Sequence, residues 1–221
     1  MALHLFAVES MPFAENTYVT WRPGQADAVV IDPGFEPEPV LARLRAEGLT
    51  VRLILNTHGH VDHIAGNAEV KRAFPEAPLV IGAGDAAMLT DPWQNLSGPF
   101  GLSITSPPAD RTVREGDVVE YAGLRLEVLE IPGHSPGHVV YLLRDDPPVV
   151  FGGDVLFGGS IGRTDFPGGD LHQLLSGIRA KLWPLPDATV VHPGHGPATT
   201  VGHEKRTNPF LAEDGTVLHH D

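Results

Sequence analysis

Short β-rich runs punctuated by turn residues dominate the first third of the chain. Residues 3–8, 16–21 and 28–31 are each separated from the next by Pro, Gly, Asn or Asp, which predicts three strands. A helix is expected over 37–47, where Pro37 stands near the start, Val40, Leu41 and Leu44 share one face, and Gly48 is the stop. Residues 51–55 are apolar apart from Arg52 and predict a strand that runs directly into Asn56-Thr57-His58. The helical period returns over 63–74, closed by Pro75, and is followed by a strand at 79–81 and a short helix at 85–89.

Residues 91–110 follow neither period and read as a long irregular loop. Such loops are usually functional in compact domains, and this one is a candidate wall of a substrate site. Strands then dominate, at 118–121, 124–131, 139–143 and 149–151. A helix over 171–183, a strand at 189–192 and a short helix near His203 follow. No short repeat and no linker interrupts the pattern, so one domain is expected over 1–221. Each half runs strands first and helices after, which predicts two packed sheets with helices outside, an α/β layered architecture.

Composition narrows the function. With 42% hydrophobic residues in 221, the chain can bury a real core. No apolar run approaches the roughly 18 residues of a membrane span, so no membrane partner is expected. The N-terminal segment lacks a basic start followed by a long apolar stretch; no secretory signal is read there, and the cytoplasm is the default compartment. Cys is absent, which removes disulfides, thiolate ligands and a Cys nucleophile together. A net charge of −13 with no compensating Lys/Arg cluster repels phosphate backbones and argues against a nucleic-acid partner.

The chemistry is concentrated in four segments, each placed after a strand. Thr57-His58-Gly59-His60-Val61-Asp62-His63 offers four good ligands in six residues. His58 and His60, two apart on an extended segment, can project to one side, while Asp62 and His63 fall at a helix start. Pro132-Gly133-His134, Gly152-Gly153-Asp154 and His192-Pro193-Gly194-His195-Gly196 repeat the order of strand, turn residue and ligand. Ligands delivered from several strand ends can converge on one edge of a sheet. Imidazole and carboxylate without thiolate suit zinc, iron or manganese. Five His and two Asp exceed what one tetrahedral ion needs, whereas two ions sharing a carboxylate use them naturally.

The H-x-H-x-D-H run with the later His134, Asp154 and His195 resembles the metallo-β-lactamase superfamily, and the resemblance spans essentially the whole chain. Within it the sequence is most similar to glyoxalase II-like hydrolases of the short bacterial branch, which lack the C-terminal helical domain. Residues 132–138 (PGHSPGH), 153–157 (GDVLF), 162–169 (GRTDFPGG) and 193–197 (PGHGP) carry that likeness. The resemblance implies an αββα sandwich of two mixed β-sheets flanked by helices. It implies two divalent metal ions, zinc favoured over iron or manganese. His58, His60 and His134 would hold one, Asp62, His63 and His195 the other, and Asp154 would bridge them. A hydroxide between the metals, positioned by Asp62 and Asp154, would attack the carbonyl of a small-molecule thioester such as S-lactoylglutathione. Arg163 matches a basic substrate-binding position and would hold a substrate carboxylate.

The same motifs admit a lactone hydrolase. They also admit a persulfide dioxygenase with a single ferrous ion on His58, His134 and Asp154. A non-catalytic metal binder is a third class, disfavoured by the complete ligand set. His138 and His192 read as structural hydrogen-bonding residues, and Asp32 as either a turn residue or a partner that orients a ligand His. His4, His172 and His203 read as surface residues. Residues 82–87 (GAGDAA) match a dinucleotide fingerprint but precede the loop 91–110 rather than a second parallel strand, so nucleotide binding is not expected.

Overall fold

Alternation within the strands sets the layers. Val29 and Ile31 face one apolar cluster while Ala28 and Val30 face another, and all four are buried. A strand buried on both faces must lie between two layers. The computed structural model describes residues 3–211, and His219 and His220 lie outside them. Six strands, β1 (His4–Ser10), β2 (Glu15–Trp21), β3 (Asp27–Ile31), β4 (Thr50–Leu55), β5 (Leu79–Gly82) and β6 (Arg111–Val113), form the first sheet in that spatial order. The β1–β2 and β2–β3 pairs are antiparallel and the rest parallel.

The second sheet begins with the antiparallel strands β7 (Val118–Tyr121), β8 (Leu124–Glu130), β9 (Val139–Leu143) and β10 (Val149–Gly153). A separate hairpin of β11 (Leu156–Phe157) and β12 (Ser160–Ile161) follows. The sheet is completed by β13 (Val190–Pro193), parallel to β10, and β14 (Thr199–Thr200), antiparallel to β13. Tyr18, Ile31, Leu53 and Leu55 of the first sheet pack against Val128, Tyr141 and Phe151 of the second. On the outside, Val40, Leu41 and Leu44 of α1 (Pro37–Ala46) cover the first sheet. Leu174, Leu175 and Ile178 of α4 (Leu171–Lys181) cover the second. Two mixed β-sheets flanked by helices give the αββα order the sequence implied.

Arg52, the break in the fourth apolar run, is a bulge. Ala28 pairs with Val51 and Val29 with Leu53, so Arg52 is the extra residue; its side chain points out and donates to Asp27 at 2.7 Å. The bulge returns Leu53 and Leu55 to the inter-sheet face.

The helix expected over 63–74 is two short helices, α2 (Val61–Ile64) and α3 (Asn67–Ala73). Gly66 separates them because its N–H leaves the helical ladder for Pro33 O at 2.9 Å. A Cβ there would lie 2.5 Å from Gly34 O, so only Gly permits this approach. The helix expected at 85–89 is a 3-10 turn, Ala86–Thr90. The loop 91–110 holds one 3-10 turn, Gly98–Phe100, and no longer element. The strands β6, β11, β12 and β14 were not expected; at two or three residues each they are too short to show a period. A last helix, α5 (Val201–Thr207), follows β14. Among the described residues no helix is long and apolar enough to cross a membrane.

Candidate metal centre

Four strand ends open on the same edge of the sandwich. The segment after β4 carries His58 and His60 into α2, which carries Asp62 and His63; His134 follows β8, Asp154 follows β10 and His195 follows β13. All seven side chains meet there. His58, His60 and His134 form one group whose ligand atoms lie within 4.8 Å of one another, and Asp62, His63 and His195 form another. Asp154 reaches both: its Oδ2 lies 3.4 Å from His134 Nε2 and 3.5 Å from His195 Nε2, and its Oδ1 3.4 Å from His63 Nε2.

The outward nitrogen of four of the five imidazoles, all but that of His60, is fixed, which orients the inward one. His134 Nδ1 lies 2.8 Å from Arg163 O, and His195 Nδ1 3.1 Å from Phe13 O. A carbonyl only accepts, so both rings carry a proton on Nδ1 and turn Nε2 inward. Thr57 Oγ donates to Asp32 at 2.7 Å, so at 3.1 Å it accepts from His58 Nδ1. Asp32, at a backbone φ of 50°, also accepts Thr57 N–H at 2.7 Å and His63 Nδ1–H at 3.1 Å. Of its two readings, turn residue and orienting partner, these contacts make Asp32 the orienting partner of His63 and, through Thr57, of His58. His60 is turned the other way, its Nδ1 2.9 Å from His134 Nε2, so two imidazole nitrogens aim at one point.

Three of the inward atoms, His58 Nε2, His63 Nε2 and Asp154 Oδ1, are buried with no hydrogen-bond partner. An unmet buried polar atom costs about 1–3 kcal/mol. A cation would meet all three, and the donors, imidazole and carboxylate without thiolate, fit one. Burial pushes His58 well below the ordinary histidine range and His60 down to about 3, keeping both as neutral imidazoles, the form that binds metal. Burial also opposes charge at His63 and His195, yet Asp154 and Asp62 outweigh it, raising His63 well above its ordinary value and His195 to about 10. Against the same burial penalty, His63 and His195 hold Asp154 well below the usual carboxylate range and Asp62 below it.

Residues outside the expected set hold the ligand loops. Asn16 donates its side-chain amide to Pro193 O at 3.1 Å and Gly196 O at 2.8 Å, tying β2 of one sheet to the His195 loop of the other. Gly194 lies so close beneath the site that a Cβ would fall 2.2 Å from Asp154 Oδ1 and 2.6 Å from His63 Cε1. His138, read as structural, accepts Asp154 N–H at 3.0 Å on Nε2 and stacks on His58 with ring centroids 4.7 Å apart. Asp85, inside the apparent dinucleotide fingerprint, accepts from Gly59 N, Ser135 Oγ and Gly137 N at 3.1, 2.6 and 2.6 Å. Glu15 is buried behind His63, its Oε1 4.0 Å from His63 Nδ1, and burial pushes its carboxyl well above the ordinary range. Only short-range patterns show in a sequence, and neither Asp85 nor Glu15 lies near a ligand along the chain.

A cleft of about 360 Å³ opens above His60, Asp62, His134, Asp154 and His195. Arg163 lines it, more than half exposed, with its guanidinium on both oxygens of Asp165 at 2.7 and 2.6 Å.

A layered αββα sandwich that gathers histidines and aspartates at its strand ends beneath an open cleft defines a class of metal-dependent hydrolases. The chain belongs to the metallo-beta-lactamase superfamily, whose family model matches residues 11–195. It is 39% identical over 202 residues to the hydroxyacylglutathione hydrolase GloC of Haemophilus influenzae, covering 90% of this chain and 93% of that one. Among solved structures, the BLEG-1 B3 metallo-beta-lactamase superposes with a TM-score of 0.90 at 39% identity, covering 94% of this chain and 99% of that one. TTHA1623 in a di-iron-bound form gives 0.82 at 40% identity, with 93% and 100% covered. ETHE1 from Myxococcus xanthus gives 0.77 at 30% identity, with 93% and 83% covered. These similarities fit a glyoxalase II-like member, and the His-rich site in this fold suggests a binuclear metal centre.

Proposed function

We propose that the protein hydrolyses a small-molecule thioester, of which S-lactoylglutathione is the type, to a hydroxy acid and a thiol. The observation that carries this reading is the convergence of two ligand groups on one aspartate. His58, His60 and His134 would hold one divalent cation, Asp62, His63 and His195 a second, and Asp154 would lie between them. When bound, such a pair supplies a Lewis acid and a water acidic enough to ionise near neutral pH. Asp62 and Asp154, both kept ionised, would accept hydrogen bonds from the attacking water and aim it at the carbonyl. A thiolate is a good enough leaving group to depart without a proton. The similarity to GloC supports this substrate class.

The resemblance to ETHE1 favours one second reading, persulfide dioxygenation by a single ferrous ion on His58, His134 and Asp154. One preparation tests both. Protein purified without added metal is analysed for its elements, then assayed for S-lactoylglutathione hydrolysis and for oxygen uptake on glutathione persulfide. About two metal ions per chain, whether zinc, iron or manganese, with thioester turnover is the expected result. One iron per chain, oxygen uptake and no thioester cleavage would replace the hydrolase by the dioxygenase.

Arg163 would hold a substrate carboxylate, exchanging Asp165 for it. Its backbone carbonyl, which accepts from His134 Nδ1, survives truncation of the side chain. Arg163→Ala is therefore expected to raise KM about tenfold, the worth of one charge-assisted hydrogen bond, with metal content unchanged. An unchanged KM removes Arg163 from the substrate site.

A further inference from the structure

Above the ligands the cleft wall is hydrocarbon. Phe13 comes from the β1–β2 loop, Leu96 and Phe100 from the loop 91–110, Phe157 and Ile161 from the β11–β12 hairpin, and Phe166 from the segment after β12. Four separate stretches of chain thus place apolar side chains around one opening. The wall begins at the ligands themselves. Phe166 meets His60 edge-on with centroids 5.6 Å apart, and Phe157 meets His195 edge-on at 6.0 Å. Phe13 and Phe100 continue it outward, 6.2 Å apart and edge-on.

Apart from the candidate ligands, only Ser160 and Arg163 among the lining residues are polar. Arg163 is bound to Asp165 and lies 4.1 Å over the Phe166 ring, so it serves at most one anionic group, at the rim. Phe100 is 59% exposed, an apolar surface that a ligand in the cleft would cover.

A scissile carbonyl must sit over the ligand groups, and the substituent on its carbon then meets this wall first. We propose that the cleft selects thioesters carrying a short alkyl or aryl acyl group over those carrying a small polar one. This rests on the thioester reading above and narrows it, making the small, polar lactoyl group a poorer acyl group for this cleft than an alkyl one. The size agrees: about 360 Å³ lies near the lower end of the ~300–1,000 Å³ usual for small-molecule sites, which suits a compact acyl group rather than a long fatty chain.

The test uses the metal-loaded enzyme and two matched series. In the first, the S-acetyl, S-butyryl and S-hexanoyl thioesters of glutathione are compared with S-lactoylglutathione. The expected kcat/KM rises about fourfold per methylene, the gain from fully burying one CH₂, and the hexanoyl thioester exceeds the lactoyl one. In the second, binding of S-methyl- and S-hexylglutathione, thioethers that cannot be hydrolysed, is measured by calorimetry. The hexyl compound is expected to bind at least about tenfold more tightly. Phe100→Ala, on an exposed loop remote from the core, should cut the hexanoyl-to-acetyl ratio several-fold with metal content unchanged. Flat or falling kcat/KM from acetyl to hexanoyl, or equal binding of the two thioethers, overturns the acyl selection while leaving thioester hydrolysis standing. Tighter binding of the hexyl thioether with no thioester cleaved at all keeps the apolar site and removes the thioesterase reading instead.

Discussion

Asp154→Ala is expected to lower kcat/KM for thioester hydrolysis by about a thousandfold or more, about 4 kcal/mol of transition-state stabilisation. Metal content should fall from about two ions per chain to one or fewer. The reason is geometric. No other of the seven side chains stands within 3.5 Å of both His134 and His195, the two ends of the cluster. Its anion is also what sustains positive charge at His63 and His195, and the same negative charge would balance an incoming cation. The backbone contact to His138 is independent of the side chain, so the loop should keep its place. Asp154→Asn keeps the shape and loses the charge, and is expected to behave nearly as badly. Elemental analysis and steady-state kinetics on the same samples are the check. A variant that keeps both ions and loses less than about tenfold in kcat/KM would show that Asp154 does not join the two ligand groups.

Much of this site is legible in the sequence because its ligands come from strand ends, and strand ends carry Gly, Pro and Asp that punctuate the pattern. His134 after Pro132-Gly133 and His195 after Pro193-Gly194 are visible for that reason. The layers are legible because residues 28–31 of β3 and all of β9 are apolar and buried, which only a doubly covered strand tolerates. What stays hidden is interaction between distant segments. Asn16 holds the His195 loop across 177 and 180 residues of sequence, and nothing in Glu15-Asn16-Thr17 announces it. The break at Gly66 is likewise hidden, because its cause is the carbonyls of Pro33 and Gly34 and not the local helical pattern. In residues 82–87 the pattern misdirects: two glycines and an aspartate imitate a phosphate-binding turn. Gly82 and Gly84 are instead small because Gly137 packs on them, where a Cβ would come within 2.2 and 2.7 Å of its backbone.

The aspartate in that false fingerprint carries the second large effect. Asp85 is fully buried, and its three hydrogen bonds join the His58–His60 segment, through Gly59, to the turn after His134, through Ser135 and Gly137. Those are the two segments that would hold the first cation. Burial pushes the Asp85 carboxyl above its ordinary value and the three donors pull it back, so the bonds offset the cost of placing a carboxylate there. Asp85→Ala leaves two buried backbone N–H groups and a hydroxyl without an acceptor. At about 1–3 kcal/mol for each unmet group, a loss of roughly 3–5 kcal/mol in the stability of the metal-free protein is expected. Freed from each other, the two segments should also bind the first cation about 10- to 100-fold more weakly, as when a partner of a metal ligand is removed. Ser135→Ala removes one donor and keeps the two backbone bonds, so it should cost only about 1 kcal/mol with metal affinity nearly unchanged. Denaturant unfolding of the metal-free variants, with metal titration against a chelator, separates the two effects. If Asp85→Ala is destabilised yet binds both ions at native affinity, Asp85 serves folding alone, and the alignment of His58, His60 and His134 must come from the sheets.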